Sequence, residues 1–548
     1  MGQRRGWVLT LTSLGALLSS LNFSTLIIAL PDLIRSLHAT LLQAVWVLMA
    51  YMVAQTVMVL MGGSLADLFG RRRLYLIGLI LFTVVSWVAG YSPNATDLIV
   101  LRVLQGIGGA LVMANSTALV AEVFPRDELG RALGVNVMVV AVGQIVGPVL
   151  GGWLTTDFGW AWTFWFNVPF GILAAALGWA LFGREAAPVA RYRQLDWGGI
   201  LAYVVAITGL LVALSEGAVN RWTTPLVAVG GAAFVVATPI WLWIERRHPE
   251  PLLHLPLFKN RTFGLGSLSA ALNAIARMAI TFLMIFYFQG AKGDSALVAG
   301  LLLSPLAVGM LVMSPVSGWI ADRWGAVVPA TVGVLLTTAG LVGLAAGTEL
   351  DTPYWQLAGW MAVAGIGAGF FNSPNTSSMM NAAGPARRGE ASGIRALTTN
   401  TGMMLSIAFS FVLVTQAIPR PAMLAIFAGT TAGLGAGMAT ALQHFIQGLH
   451  LAFWVMAGVS AVAAVLSGLR EEGRRRPNTD LLLAVMMGLE AQRRLRAAET
   501  LEGDDLLLAR LALALLHQAL ADRGASPAVA PRADRAPAPR SAEVRISG

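Results

Sequence analysis

The sequence predicts an all-α polytopic membrane protein with fourteen transmembrane helices. Three observations point there. Of 548 residues, 56% are hydrophobic and 12% charged, where soluble domains carry roughly 25% charge. A soluble chain of this length divides into several domains, and this one has too little charge to cover them. Stretch after stretch reaches the ~20 mostly apolar residues that a spanning helix needs. The basic residues between them alternate from loop to loop, as the positive-inside bias requires.

Taken in order, the apolar stretches fall near 8–31, 43–65, 73–92, 98–122, 132–155, 160–182, 197–215, 225–244, 262–289, 297–320, 327–347, 355–379, 394–416 and 449–469. The opening "MGQRRGWVLTLTSLGALLSS" has a basic start like a signal peptide. Its apolar run is too long for a signal h-region and no clean cleavage site follows, so it is expected to be a retained first span. The segment 421–447 is apolar but rich in Gly, Ala and Thr. It is expected to form a long, partly helical outer loop before the last span. With the N-terminus inside, one set of loops holds Arg4, Arg5, Arg71, Arg72, Arg73, Arg126, Arg131, Arg184, Arg191, Arg193, Arg246, Arg247, Lys259, Arg261, Arg323, Arg387 and Arg388. The opposite set holds only Arg35, Arg221, Lys292 and Arg420. This asymmetry implies an even span count and cytoplasmic termini.

The net charge is +9, and its placement in short loops speaks for membrane orientation rather than nucleic-acid binding. Without cysteine there is no disulfide framework, thiolate nucleophile or cysteine metal site. His38, His248, His254, His444, His450 and His517 are scattered among loops and helix ends. No catalytic constellation, metal site, phosphate-binding loop or nucleotide domain is apparent. An enzyme and a direct use of ATP are therefore not expected, nor is any cofactor.

The chain repeats itself. "GIGGALVMANST" at 106–117 echoes "GIGAGFFNSPNT" at 365–376, and "PRDELGRALGV" at 125–135 echoes "PARRGEASGI" at 385–394. "GGSLADLFGRRR" after the second span matches "SGWIADRWGAVV" after the tenth, with Gly63/Asp67/Gly70 answered by Gly318/Asp322/Gly325. A six-span bundle is thus expected at 1–183 and again at 257–469, with two inserted spans in 184–256. Such parallel repeats are a transporter architecture whose substrate site lies between the halves. Residues 470–548 form a cytoplasmic tail, with two short amphipathic helices expected at 480–498 and 503–522 before an Ala/Pro/Arg-rich end.

Here the motifs resemble a known family. "GGSLADLFGRRR" resembles the loop signature of the major facilitator superfamily. "LIVLRVLQGIGGALV" at 98–112 resembles its fourth-helix motif, with Arg102, Gln105 and Gly106 in place, and "GQIVGPVLGGWL" at 143–154 its antiporter motif. "LNFSTLIIALPDL" at 21–33 resembles the first-helix signature of the fourteen-span drug:proton antiporters. The likeness covers roughly 8–470. One position departs from it. The family's signature opens Leu-Asp, and this chain has Leu21-Asn22. That aspartate is commonly tied to cation recognition or proton coupling, and Asn22 cannot titrate.

The resemblance implies roles for these residues. Gly143, Gly147, Gly151 and Gly152, with Pro148 among them, would make a hinge-like seam sealing the outward-closed state; ordinary close packing accounts for them too. Arg102, placed about one turn inside the outer end of its span, would serve coupling or else snorkel outward. Asp67, with Gly63, Gly70, Arg71, Arg72 and its echo Asp322, would latch the halves by meeting the positive N-terminal end of the eleventh span. Asp67→Asn is expected to fail in that latch while keeping substrate binding. Asp32 is the best outer titrating candidate, and Glu122 is placed to pair with the arginines of the first loop; Asp97 and Asp157 also sit at helix ends.

Arg277 lies near the middle of the ninth span, and no carboxylate lies comparably deep in any span. Its partner must be a carbonyl, an amide such as Asn273, water or an anionic substrate. If Arg102 and Arg277 both line the cavity, its positive interior favours neutral or anionic amphiphiles over cations. Asn22, Gln55, Asn115, Asn136, Asn372, Asn375 and Phe286 complete the candidate substrate cavity, though each alone is more often packing or an interhelical hydrogen bond than a ligand contact. The expected function is export of hydrophobic or amphiphilic small molecules by alternating access. Proton antiport across the inner membrane, by a monomer in the lipid bilayer, is the expected mode. The alternatives are an exporter of lipid-like or anionic metabolites, and a membrane scaffold or sensor whose tail binds a partner.

Overall fold

The computed structural model describes residues 2–124, 126–182, 196–220, 222–248, 255–384, 387–418, 420–430 and 437–470. Chain contacts divide the protein into residues 1–472 and 473–548. The expected tail helices at 480–498 and 503–522 lie outside the described residues.

The first six spans comprise α1 (Gly2–Ser36), α2 (Leu41–Phe69), α3 (Arg71–Ala89), α4 (Ala95–Val123), α5 (Arg126–Phe158), and α6 (Trp162–Trp165) with α7 (Asn167–Phe182). The inserted pair is α8 (Trp197–Val219) and α9 (Pro225–Arg247). The last six begin with α10 (Arg261–Phe286), which runs into a π-helical turn at Tyr287–Ala291. Then come α11 (Ala296–Leu302), α12 (Ser304–Trp324), α13 (Val327–Gly347), α14 (Tyr354–Ala383), α15 (Arg388–Ala417), α16 (Arg420–Phe427) and α17 (Met438–Gly468). The end of the bundle where α1 begins is termed proximal and the other distal.

Thirteen spans among the described residues are long and apolar enough to cross a membrane. Helix α14, 30 residues long, completes the expected fourteen; Asn372, Asn375 and Asn381 lower its hydropathy. The protein is an integral, multi-pass membrane protein. One expectation is corrected at the last span. It begins at Met438 rather than near 449, because Gln443, His444 and Gln447 are carried inside a 31-residue helix. Residues 421–427 of the expected outer loop belong to α16.

Helix pairing in the first six spans has a counterpart in the last six. Helix α2 packs on α4 and α3 on α4, as α12 does on α14 and α13 on α14; α1 packs on α5, as α10 does on α15. The same device brings the paired helices together. A Cβ built on Gly108 of α4 would stand 2.8 Å from the carbonyl oxygen of Gly78 on α3, and one on Gly333 of α13 would stand 2.6 Å from that of Gly367 on α14. Small residues let backbones meet where no hydrophobic effect drives helix association. The loops after α2 and α12 also match. Gly70 and Gly325 end their helices with φ of 90° and 94°, a region that costs glycine nothing. The inserted α8 leans on both halves: Trp46 Nε1 of α2 donates to Ser215 Oγ at 3.3 Å, and Tyr203 shares a 2.9 Å hydrogen bond with Thr401 of α15.

These close approaches make a paired test. Gly367→Leu drives a side chain into the α13 backbone and is expected to lower the melting temperature of the detergent-solubilised chain sharply, at a cost of about 3 kcal/mol or more. Gly359→Leu, on an exposed face of α14 with nothing within 4 Å, is expected to leave it unchanged. Equal effects would show that backbone contact does not set the α13–α14 spacing.

Candidate functional site

Arg102 lies about two turns into α4, deeper than the single turn expected, and is 0% exposed. It does not snorkel. Its Nε donates to the Val47 carbonyl at 3.0 Å, and Nη1 donates to Gln105 Oε1 at 2.6 Å and to Asn22 Oδ1. Gln105 Nε2 in turn donates to Ser86 Oγ at 2.8 Å. The guanidinium stands over the Tyr51 ring, 4.2 Å from its centroid. Every one of these groups is neutral. Arg102 Nη2 and Asn22 Nδ2 remain buried without a hydrogen-bond partner, so one donor on each residue goes unanswered. A carboxylate at position 22 would fill that gap; the asparagine leaves the charge held by dipoles alone.

The glycine face of α5 divides its work. Gly143, Gly147 and Gly151 abut Ser20, Ser24 and Thr25 of α1, and Ser24 Oγ donates to the Gly143 carbonyl at 3.1 Å. Gly152 turns the other way, against the backbone of Ala296 and Leu297, and Gly300 of α11 sits against the Pro148 carbonyl. The Leu297 N–H donates to Thr156 Oγ1 at 3.0 Å. Gln289, in the π-helical turn, donates to the Ile28 carbonyl at 2.8 Å. These contacts join the two sets of six spans near their distal ends.

Of the expected cavity residues, Asn273, Arg277, Asn372 and Asn375 come together. They line a cleft among α10, α14 and α15 with Ala270, Ala274, Phe371, Thr376, Arg395 and Thr399. Asn273 and Arg277 are four residues apart on α10, as are Arg395 and Thr399 on α15, so each pair shares a helix face. Arg470, just past α17, closes on Asn375, its Nη1 donating to Oδ1 at 2.5 Å and its Nη2 to Ser467 Oγ at 2.5 Å. Arg395 and Arg470 were not picked out from sequence. Arg395 falls seven residues into α15, where its four-residue spacing from Thr399 was the available signal.

The remaining expectations are placed elsewhere. Asn115 donates to the Leu111 carbonyl, Asn136 to Ser116 Oγ at 2.9 Å, and Gln55 to Tyr51 Oη at 3.1 Å. Each sits within the first six spans, away from the cleft. Phe286 packs on Phe427 with centroids 4.2 Å apart, because α16 folds back over the end of α10. Asp32 accepts from Arg35 at 3.1 Å and from the Trp160 N–H at 3.1 Å, a tie between α1 and the turn before α6. Glu122 meets Arg71 and Arg72 at 3.5 Å each. The side chain of Asp67 lies outside the described set, as does Gly63 beyond its place in α2; Asp322 is exposed at the end of α12. Sequence reasoning passed over three buried carboxylates, Asp196, Glu216 and Glu245. Asp196 caps α8, accepting from the Gly199 N–H at 2.8 Å; Glu216 accepts from Asn220 and Glu245 from Trp241. All three lie at helix ends of the inserted pair.

The neutral cradle of Arg102 yields a stability prediction. Asn22→Leu removes an acceptor from a buried cation and is expected to destabilise the protein by about 2 kcal/mol. Asn22→Asp is expected to match or exceed the wild-type melting temperature at neutral pH and to lose that gain as acidification protonates the new carboxylate. Thermal scans from pH 4 to 8 read both; an aspartate variant less stable than the leucine one at neutral pH would contradict the assignment.

The profile of the Major Facilitator Superfamily matches residues 12–407. The riboflavin transporter RibZ of Clostridioides difficile is 31% identical over 402 residues, covering 73% of this chain and 86% of that one. The multidrug resistance protein Stp of Mycobacterium tuberculosis is 32% identical over 398 residues, 72% of this chain and 73% of that one. The tetracenomycin C resistance and export protein of Streptomyces glaucescens is 30% identical over 493 residues, 84% of this chain and 91% of that one. Among solved structures, a bacterial homologue of the human lysosomal transporter Spinster superposes with a TM-score of 0.60 at 16% identity, over 85% of this chain and 97% of that one. The xylose transporter XylE of Escherichia coli superposes with a TM-score of 0.53 at 13% identity, over 86% and 99%. These likenesses, with the fold, place the chain in the major facilitator superfamily of membrane transporters.

Proposed function

We propose that the protein is a secondary active exporter of hydrophobic or amphiphilic small molecules, working by alternating access in the inner membrane with both termini in the cytoplasm. The observation that carries this reading is the distal seam, where Gly152 and Gly300 bring α5 and α11 to backbone contact across the two halves. Helices joined through glycines can part and re-form without unpacking side chains. The cleft at Asn273, Arg277 and Asn375 lies on the proximal side of that seam, in the half that would open to the cytoplasm. Relatives named for multidrug resistance and for tetracenomycin export support the substrate class.

Proton antiport is part of the proposal, and it takes a form of its own here. The first-helix acid of the resembling antiporters is Asn22, so no proton is carried at that position. Asp32 and Glu122 are each engaged by arginine, and Glu122 ties Arg71 and Arg72 at the start of α3 to the end of α4. The turn between α2 and α3 would act as the proximal latch between the halves, with Asp67 meeting the start of α13 as the resemblance implies. The protein acts as a monomer, and its partners are its substrate, protons and lipid.

Two measurements test the reading. Inside-out vesicles energised with a pH gradient are expected to accumulate amphiphilic dyes, and to lose the accumulation when the gradient is collapsed; accumulation indifferent to the gradient would defeat antiport. The absence of native cysteine allows the seam to be locked. Thr156→Cys with Leu297→Cys, joined by a short thiol cross-linker, is expected to stop transport, and each single variant treated alike is expected to keep it. Undiminished transport in the cross-linked protein would show that the distal seam does not move.

A further inference from the structure

The last six spans contain a charge that their own side chains do not balance. Arg277 and Arg395 line one cleft, and none of the residues that line it with them is acidic. Arg470, which reaches Asn375 beneath it, adds a third guanidinium and faces Phe371. The described carboxylates of these spans, Asp294, Asp322, Glu349, Asp351 and Glu390, all lie in turns or at helix ends. Within the cleft, two buried polar groups are left without partners. Arg395 Nε makes no hydrogen bond, and neither does Asn273 Oδ1, on a side chain only 2% exposed. Arg102 also keeps one unbonded nitrogen, Nη2, but three neutral acceptors, Val47, Asn22 and Gln105, bond its Nε and Nη1. Charges set at membrane depth without an acidic partner are costly and are found facing cavities or ligands.

We infer that this cleft binds the anionic head group of an amphiphile between the Arg277 and Arg395 guanidinia, with Asn273 as the adjoining polar contact. Ala270, Ala274 and Phe371 supply the apolar wall on which its hydrocarbon part lies. Guanidinium forks favour planar or tetrahedral oxyanions, which can take two parallel hydrogen bonds from each. Carboxylate, phosphate and sulfonate are therefore the head groups that fit. The inference deepens the export reading by giving the cargo a charge, and it rests on that reading only for the claim that the bound molecule is carried. A soluble anionic amphiphile and an anionic lipid present the same chemistry to the site.

The test measures binding without transport. The full-length chain in phosphatidylcholine nanodiscs is titrated with decyl phosphate, decanol or decyltrimethylammonium, and its melting is followed by tryptophan fluorescence. Decyl phosphate is expected to stabilise the wild type more than the other two. Its apparent affinity is expected to fall about tenfold or more in Arg277→Gln and in Arg395→Gln, the loss of one charge-assisted contact. Arg277→Lys and Arg395→Lys, which keep the charge and lose the fork, are expected to fall between. Because Arg395→Gln removes an unbalanced charge, its ligand-free form is expected to be no less stable than the wild type. Nanodiscs containing phosphatidylglycerol separate the two sources. A lipid occupant would raise the ligand-free melting temperature and blunt the decyl phosphate response, in an arginine-dependent way; a soluble one would leave both unchanged. Equal responses to the three amphiphiles, or equal decyl phosphate affinity in wild type and both glutamine variants, would overturn the inference. Arginine-dependent binding in a protein that exports nothing would sink the export reading and leave the site standing.

Discussion

A guanidinium group inside a bundle of apolar helices must be given partners, and the way this protein does so organises its chemistry. In the first six spans the guanidinium is held from within, with only its Nη2 left unbonded. Val47, Asn22 and Gln105 bond Arg102 and the Tyr51 ring covers it, so α1, α2 and α4 are pinned to one another through a single charge. In the last six spans the same kind of charge is left open to a cleft at Arg277 and Arg395. A repeated architecture thus carries two different electrostatic solutions. One half holds itself together around its arginine, and the other presents arginine to a cavity.

The second constraint is backbone proximity. Spans in a membrane gain little from hydrophobic burial against each other and depend on close packing. Glycine supplies it within halves, at Gly78 with Gly108 and at Gly333 with Gly367, and between them, at Gly152 and Gly300. The contacts within halves are buried among side chains and repeat from one half to the other. The glycine contact between halves lies toward the distal end and is backed, among the described residues, by polar bonds from Leu297 to Thr156 and from Gln289 to Ile28. Such a seam is what the proposed alternating access calls for, since the halves would have to part there.

Much of this was legible in the sequence because membrane helices advertise themselves. Length and apolarity gave the spans, and the echo of Gly63/Asp67/Gly70 in Gly318/Asp322/Gly325 led to turns that share a positive-φ glycine. Four cleft residues, Asn273, Arg277, Asn372 and Asn375, could be named because polar groups inside apolar runs are conspicuous. Arg395 was hidden for the opposite reason. It stands near the start of α15, in a polar stretch that resembles a loop until the helix is seen to begin at Arg388. Glu216 and Glu245 escaped because they close helices whose ends run beyond the apolar stretch. Asn115, Asn136 and Gln55 look like cavity residues in one dimension, and in three they satisfy hydrogen bonds between or within packed helices. Polarity in a span is visible from sequence, whereas the direction in which it points is not.

Whether Arg277 and Arg395 share one anion decides between a binding cleft and a merely buried charge. An experimental structure of the full-length chain in phosphatidylcholine nanodiscs with decyl phosphate answers this most directly. The phosphate oxygens are expected within hydrogen-bond distance of both guanidinia, with the alkyl chain against Phe371. A phosphate bound elsewhere, with the Arg277 and Arg395 guanidinia turned to backbone carbonyls, would contradict it.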